Sequence, residues 1–141
     1  MEEFPTWQPV VALALTDGKR RWLMHRRPPH KRHGGMWEFP GGKVEAFENP
    51  REGLVREVRE ELDIAVAAED LQPACFADEG SQVDGKAIVI LLYIASKWIG
   101  EPRSLEGGKI GWFKVPEIER LERPQLDIDL TVRIFGAPSG H

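Results

Sequence analysis

Apolar residues in this chain fall into short runs separated by turn-forming residues, with one stretch where the period lengthens. Val10 to Leu15 is a short apolar run and Arg21 to Arg26 a second strand-length segment; Asp17-Gly18 between them is a hairpin turn signal. Pro28-Pro29 to Gly34-Gly35 reads as a loop, opened by prolines and closed by glycines. Leu54, Val55, Val58 and Leu62 then recur at helical spacing and form one stripe that can face a core. Asn49 can cap this segment and Pro50 suits a first helical position, so the spacing predicts a helix from about Pro50 to Leu62. Leu71 to Phe76 reads as a strand, and Ala87 to Ala95, rich in isoleucine and other aliphatic residues, as the strongest one. Lys109 to Val115 is a further strand; Pro116 to Leu121 and Leu126 to Phe135 read as short helices. Strands and helices mixed in this way predict a sheet covered on both faces by helices. With no repeat, low-complexity tract or linker, residues 1–141 are expected to form a single domain.

Composition narrows the class. A chain of 141 residues with 41% hydrophobic and 30% charged residues can bury one good core. A net charge of −4 argues against a general surface for nucleic-acid polymers. Cys75 is the single cysteine, so no internal disulfide forms and a reducing compartment is expected. The longest apolar run, Ala87 to Ala95, is too short to span a membrane. Met1-Glu2-Glu3-Phe4-Pro5 is acidic and unlike a signal peptide, so a cytoplasmic location is expected.

The charges are unevenly spread. Lys19, Arg20, Arg21, Arg26, Arg27, Lys31 and Arg32 place seven of the 19 basic residues in one short stretch. Lys19 to Arg21 read as the cap of an exposed turn. The following segment carries Glu45, Glu48, Glu52, Glu57, Glu60 and Glu61. A basic arm beside an acidic metal site suits a polyphosphate substrate, whose phosphates meet the arm while the acids hold a bridging metal.

Within the predicted helix, Glu57, Glu60 and Glu61 sit at i, i+3 and i+4 and therefore share one face. Three like charges so placed repel one another, a cost that a hard divalent cation between them removes. Several oxygen ligands together suit Mg²⁺, with Mn²⁺ able to substitute. A merely solvated glutamate-rich face would need neither the glycine loop ahead of the helix nor Arg56 within it.

The segment from Gly42 to Ile64 resembles the Nudix box, G-x5-E-x7-R-E-U-x-E-E-x-G-U with U apolar. Gly42, Glu48, Arg56, Glu57, Val58, Glu60, Glu61 and Ile64 match; Asp63 stands where the box has glycine. That glycine would follow the helix in a left-handed conformation, which Asp can also visit at a cost of about 1–2 kcal/mol. Ala46-Phe47 replaces the Pro-Gly that many relatives carry, changing loop stiffness but removing no ligand. Arg26-Arg27-Pro28-Pro29, the run Met36 to Glu45, Trp98 to Pro102, Glu106, Trp112 and Pro124 to Asp127 extend the similarity to the MutT-like branch, over about residues 8 to 135.

The resemblance implies an α/β/α sandwich with a mixed β-sheet and an enzyme that converts a nucleoside triphosphate to the monophosphate and pyrophosphate. Position by position, it implies that Glu57, Glu60 and Glu61 bind metal, joined by the Gly41 carbonyl and by Glu106 as ligand or general base. It implies phosphate contact by Arg27, base reading by Asp127, and further substrate contacts from Glu38, Phe39 and Lys43. Arg56 and Glu48 are expected to form an ion pair that holds the loop to the helix and orients the metal-binding acids. Trp37 is expected to pack rather than stack on a base, Cys75 to behave as a buried small hydrophobe, and His30 and His33 to lie in an exposed loop.

The expected chemistry is metal-assisted substitution at phosphorus, with Glu106 or Glu60 taking the proton. An ionised Asp127 only accepts hydrogen bonds; it suits guanine N–H groups or the cytosine amino group, and would repel guanine O6 unless protonated. The MutT-like context makes 8-oxo-dGTP the first expectation, in nucleotide-pool cleaning linked to DNA replication and repair, with CTP or methylated dCTP as the alternative. Dinucleoside polyphosphates, capped RNA ends and ADP-ribose stay open, since the box reports only phosphate chemistry. A non-catalytic module of this fold usually loses box acids, and this chain keeps them. A P-loop reading of Gly41-Gly42-Lys43 fails, because it needs glycine at Trp37 and Ser or Thr at Val44. The protein is expected to be a monomer or a homodimer, the latter by pairing along the edge of the strand Ala87 to Ala95.

Overall fold

A computed structural model describes residues 7–83 and 86–138, residues 80–83 by their backbone. Strands β1 (Trp7–Leu15), β2 (Trp22–Arg26), β3 (Trp37–Glu38) and β4 (Gly41–Lys43) precede helix α1 (Pro50–Leu62). Then follow β5 (Gln72–Val83), β6 (Lys86–Ala95), β7 (Lys109–Phe113), α2 (Val115–Ile118) and α3 (Gln125–Phe135). One sheet has the order β4-β1-β6-β5 and a smaller one the order β3-β2-β7. β1 and β6 run parallel and every other pairing is antiparallel, so the sheet is mixed.

The apolar run of β1 is buried on both faces because helices cover both. Val11, Leu13 and Leu15 pack in one cluster with Leu54, Val58 and Leu62 of α1, while Ala12 and Ala14 join Met24, Leu126 and Leu130 on the α3 side. Alternation with period 2 thus sends successive β1 side chains to opposite layers, giving an α/β/α sandwich. Among the described residues no helix is long and apolar enough to cross a membrane.

α1 has the bounds that its sequence signals predict. Asn49 Oδ1 accepts from the Glu52 N–H at 2.9 Å and Glu52 Oε1 accepts from the Asn49 N–H at 2.8 Å, a reciprocal cap with Pro50 just inside. Asp63 ends the helix in the left-handed region, φ 59°, and its carboxylate pairs with Arg103 at 2.9 Å.

Several expectations need correction. Asp17 does close a turn, its carboxylate accepting from Lys19, but after the single bridge Thr16–Trp22 the two strands enter different sheets and form no continuous hairpin. The strand opening near Leu71 continues to Val83, and the one from Lys109 stops at Phe113, where Val115 begins a helical turn shorter than expected. β3 and β4 were not foreseen. β6 lies between β1 and β5, so its edges are filled and it offers no dimer edge; β4 and β5 are the outer strands.

Candidate active site

α1 and β4 bring the acidic residues together. β4 packs against α1, and a side chain at Gly42 would collide with the Glu57 carboxylate, so the glycine makes room for that carboxylate. Gly41 lies directly against β1, where a Cβ would strike the Val11 carbonyl. The loop after residue 100 is strapped to the free carbonyls at the end of α1: the Arg103 N–H donates to Leu62 O at 3.1 Å and the Leu105 N–H to Glu61 O at 3.0 Å. Burial raises the pKa of both Glu57 and Glu61, and Glu106, brought near by this strap, adds to the rise in each.

Arg56 organises the outer carboxylates. Its Nη2 donates to Glu48 at 2.6 Å and to the Lys43 carbonyl at 3.0 Å, and its Nη1 donates to Glu57 at 2.9 Å and Glu60 at 3.3 Å. One guanidinium therefore ties the box loop to the helix, in the geometry expected of the Arg56–Glu48 pair. The Arg56 hydrogen bonds hold Glu48 down to about 2. Among the described residues no three His, Cys, Asp or Glu side chains close into a cage; Glu57 and Glu60 turn towards Arg56 instead.

Glu61 is 8% exposed. Burial pushes its carboxyl up to about 8, with Glu38, Glu57 and Glu106 adding to the rise. Its Oε1 lies 3.2 Å from His25 Nδ1. A donor set of Glu57, Glu60, Glu61, Glu106 and main-chain carbonyls is all oxygen, and a cation would relieve the penalty carried by Glu61, so the residues fit a hard divalent metal ion.

Beside these acids opens a cleft of about 660 Å³, lined by Arg27, Arg32, His33, Glu38, Gly42, Lys43, Ile88, Ile90, Gln125 and Asp127 among others. That size suits a nucleotide. Arg27 Nε donates to Glu38 Oε1 at 2.6 Å, so Glu38 orients the arginine as well as lining the cleft. Asp127, 4% exposed, accepts from the Phe39 N–H at 2.9 Å. Burial and neighbouring Glu38 push its carboxyl well above the ordinary carboxylate range.

Phe39 departs from expectation. Its ring is 3% exposed, in the core near Phe135, and only its backbone reaches the site, through Asp127. Trp37 packs edge-on against Phe113, as expected. His30 is exposed, while His33, also exposed, lines the cleft with Arg32. Cys75 is half-buried. Arg32, counted in the expected basic arm, does line the cleft; Ile88, Ile90 and His25 were not anticipated. Ile88 and Ile90 alternate along β6, a period that could have marked one face; His25 carries no local signal.

A model of the NUDIX domain matches residues 6–131. A CTP pyrophosphohydrolase of Escherichia coli K12 is 34% identical over 86% of this chain and 84% of its own length. An 8-oxo-dGTP diphosphatase of Haemophilus influenzae is 35% identical over 70% of this chain and 69% of its own. Among solved structures, a MutT from work on Aliivibrio salmonicida and Vibrio cholerae superposes with a TM-score of 0.77 at 29% identity, covering 90% of this chain and 95% of that one. The E. coli ORF135 protein gives 0.80 at 26% identity, covering 96% of each chain. The chain therefore belongs to the Nudix family, a MutT-like hydrolase of nucleotide substrates in a family that works with divalent metal ions.

Proposed function

We propose that this protein hydrolyses a nucleoside triphosphate to the monophosphate and pyrophosphate, with Mg²⁺ as the metal and 8-oxo-dGTP as the preferred substrate. The observation that carries this reading is one cleft holding the buried carboxyl of Asp127 and the cations Arg27 and Lys43, and leading to Gly42, against which the Glu57 carboxylate rests.

Glu57, Glu60, Glu61 and Glu106, with the Gly41 carbonyl, hold the metal; Glu48 acts through Arg56 to fix the loop and α1 at their present spacing. When bound, the ion neutralises phosphate charge and makes water more acidic. Arg27, aimed by Glu38, and Lys43 meet the phosphates. The oxygen of water bonds to phosphorus, and the P–O bond between the α- and β-phosphates breaks. Its electron pair leaves with the departing phosphate oxygen, and the proton passes to Glu60 or Glu106, the two most exposed of the four acids.

At the base end, Oδ1 of Asp127 is taken by the Phe39 N–H. A carboxyl kept protonated by burial donates from its other oxygen, which suits guanine O6 and removes the repulsion an ionised Asp would exert. The same donor suits cytosine N3. The cytosine reading, CTP or a methylated dCTP, is favoured by the longer span of similarity to the CTP pyrophosphohydrolase.

The test is turnover of 8-oxo-dGTP, dGTP, CTP, 5-methyl-dCTP, ADP-ribose and a dinucleoside tetraphosphate with Mg²⁺, Mn²⁺ or EDTA. The expected result is metal-dependent pyrophosphate release, fastest from 8-oxo-dGTP. Preference for cytosine nucleotides would select the second reading, and no metal-dependent turnover of any would overturn both.

A further inference from the structure

His25 is the one buried histidine of the described residues, 3% exposed on β2, and it sits between two parts of the site that sequence keeps far apart. On one side its Nδ1 lies 3.2 Å from Glu61 Oε1, close in distance but outside hydrogen-bond geometry, and both buried atoms are without a hydrogen-bond partner among the described residues. On the other side its Nε2 lies 3.1 Å from Ser104 Oγ, which itself accepts from the Gly108 N–H at 3.0 Å. Gly108 is packed so closely that a Cβ there would meet His25 Nε2 at 3.0 Å and collide with the Arg26 carbonyl.

A neutral imidazole has one donor and one acceptor. The Ser104 hydroxyl, with one lone pair engaged by the Gly108 N–H, can give its proton to His25 Nε2. In that tautomer the ring N–H is on Nδ1, the ring nitrogen beside the unpartnered Glu61 oxygen. We propose that His25 is a positioning residue for metal binding: with the ion in place its Nδ1–H takes up one Glu61 oxygen and leaves the other for the ion, while Ser104 fixes the ring and couples it to the loop bearing Glu106. The proposal rests on the reading of Glu61 as a metal-binding acid. Groups that hold a ligating carboxylate in this way typically affect metal affinity by about 10- to 100-fold.

The experiment titrates Mn²⁺ alone into the full chain, without nucleotide, following free Mn²⁺ by electron paramagnetic resonance, with circular dichroism to check folding. His25→Leu should weaken binding at least about tenfold. His25→Asn, whose amide nitrogen falls near Nδ1, should restore it; His25→Gln, whose amide falls near Nε2, should not. In a Glu61→Gln background, His25→Leu should add no further loss. His25→Leu at wild-type affinity while Glu61→Gln is weakened would overturn the proposal and leave the metal site standing. Glu61→Gln at wild-type affinity would remove both. If His25→Leu does not fold, the Asn and Gln variants decide: equal affinities overturn the proposal, and rescue by Asn alone supports it.

Discussion

The Phe39 N–H donates to Asp127 Oδ1 at 2.9 Å, joining a buried backbone donor to a cleft-lining carboxyl 88 positions away. Because that N–H can only donate, it fixes which carboxyl oxygen accepts and leaves the other for the substrate base. Burial, with Glu38 nearby, raises the pKa of this carboxyl well above the ordinary range and so favours a proton on that second oxygen. An asparagine would be held the same way round, its NH₂ taking the place of the O–H. Asp127→Asn should therefore keep kcat/KM for the preferred nucleotide close to wild type, whereas Asp127→Ala should cost about 1–3 kcal/mol of base discrimination. The wild-type profile should fall as pH rises and Asp127 ionises, and Asp127→Asn should lack that alkaline limb. Pyrophosphate release from 8-oxo-dGTP and CTP across pH measures all three effects.

Glu61 links stability to pH and to metal. Its carboxyl is at about 8 in the fold against an ordinary 4.5, so the folded state holds a proton that the unfolded state has lost. This stabilisation is complete below pH 4.5 and is lost as pH rises through about 8. His25 works in the opposite sense, drawn from 6.5 to about 4 by burial and Arg27, so its contribution appears only as pH climbs through that range. Between pH 6.5 and 8 the Glu61 slope stands clear of His25. In EDTA, Tm should fall across this window; Glu61→Gln should flatten the fall and saturating Mg²⁺ should offset it. Glu60→Gln and Glu61→Gln should each abolish most turnover while leaving the circular dichroism spectrum unchanged.

Two non-glycine residues of the box region sit at positive φ, and they should respond differently. Phe47 has φ 68° with its ring fully exposed, so it holds a bulky side chain in the left-handed region without packing in return. Phe47→Gly should stabilise the protein by about 1 kcal/mol. Asp63, at φ 59°, belongs to a residue type that tolerates this region and pairs with Arg103. Both of those side chains are well exposed, so Asp63→Gly should shift stability by only a few tenths of a kcal/mol, relief of the left-handed conformation being offset by the lost pair and by glycine's greater loss of freedom on folding. Thermal melts of the two variants side by side test the contrast.

The legible parts of this molecule are those whose causes are local. α1 was readable to the residue because the Asn49 cap, Pro50 and the stripe Leu54, Val58, Leu62 all lie within the element. The turn at Asp17 was equally visible, but the parting of β1 and β2 into separate sheets depends on partners far along the chain, β6 for one and β7 for the other. β3 and β4, two and three residues long and interrupted by Pro40, are too short to show a period. The acid face of α1 and the Arg56–Glu48 pair followed from spacing and resemblance. His25 did not, because its meaning comes from Glu61 and from Ser104, 79 positions away.

Gly41 and Gly42 are neighbours with different duties, and alanine at each should separate fold from site. At Gly41 the new methyl group would strike the Val11 carbonyl and the Ala12 Cα, both main-chain atoms of the central strand. Neither can yield without breaking the β1–β4 pairing, so Gly41→Ala should destabilise the protein by about 3 kcal/mol. At Gly42 the methyl would instead meet the Glu57 carboxylate, the free end of a flexible side chain. That carboxylate can swing aside at little cost to the fold, but only by leaving its position beside Arg56 and Gly42. Gly42→Ala should therefore melt close to wild type in EDTA, bind Mn²⁺ at least about tenfold more weakly and lose a comparable factor in turnover. Urea unfolding and Mn²⁺ titration of the two variants would distinguish them. A Gly42→Ala protein that unfolds early while binding metal normally would place Glu57 outside the metal site.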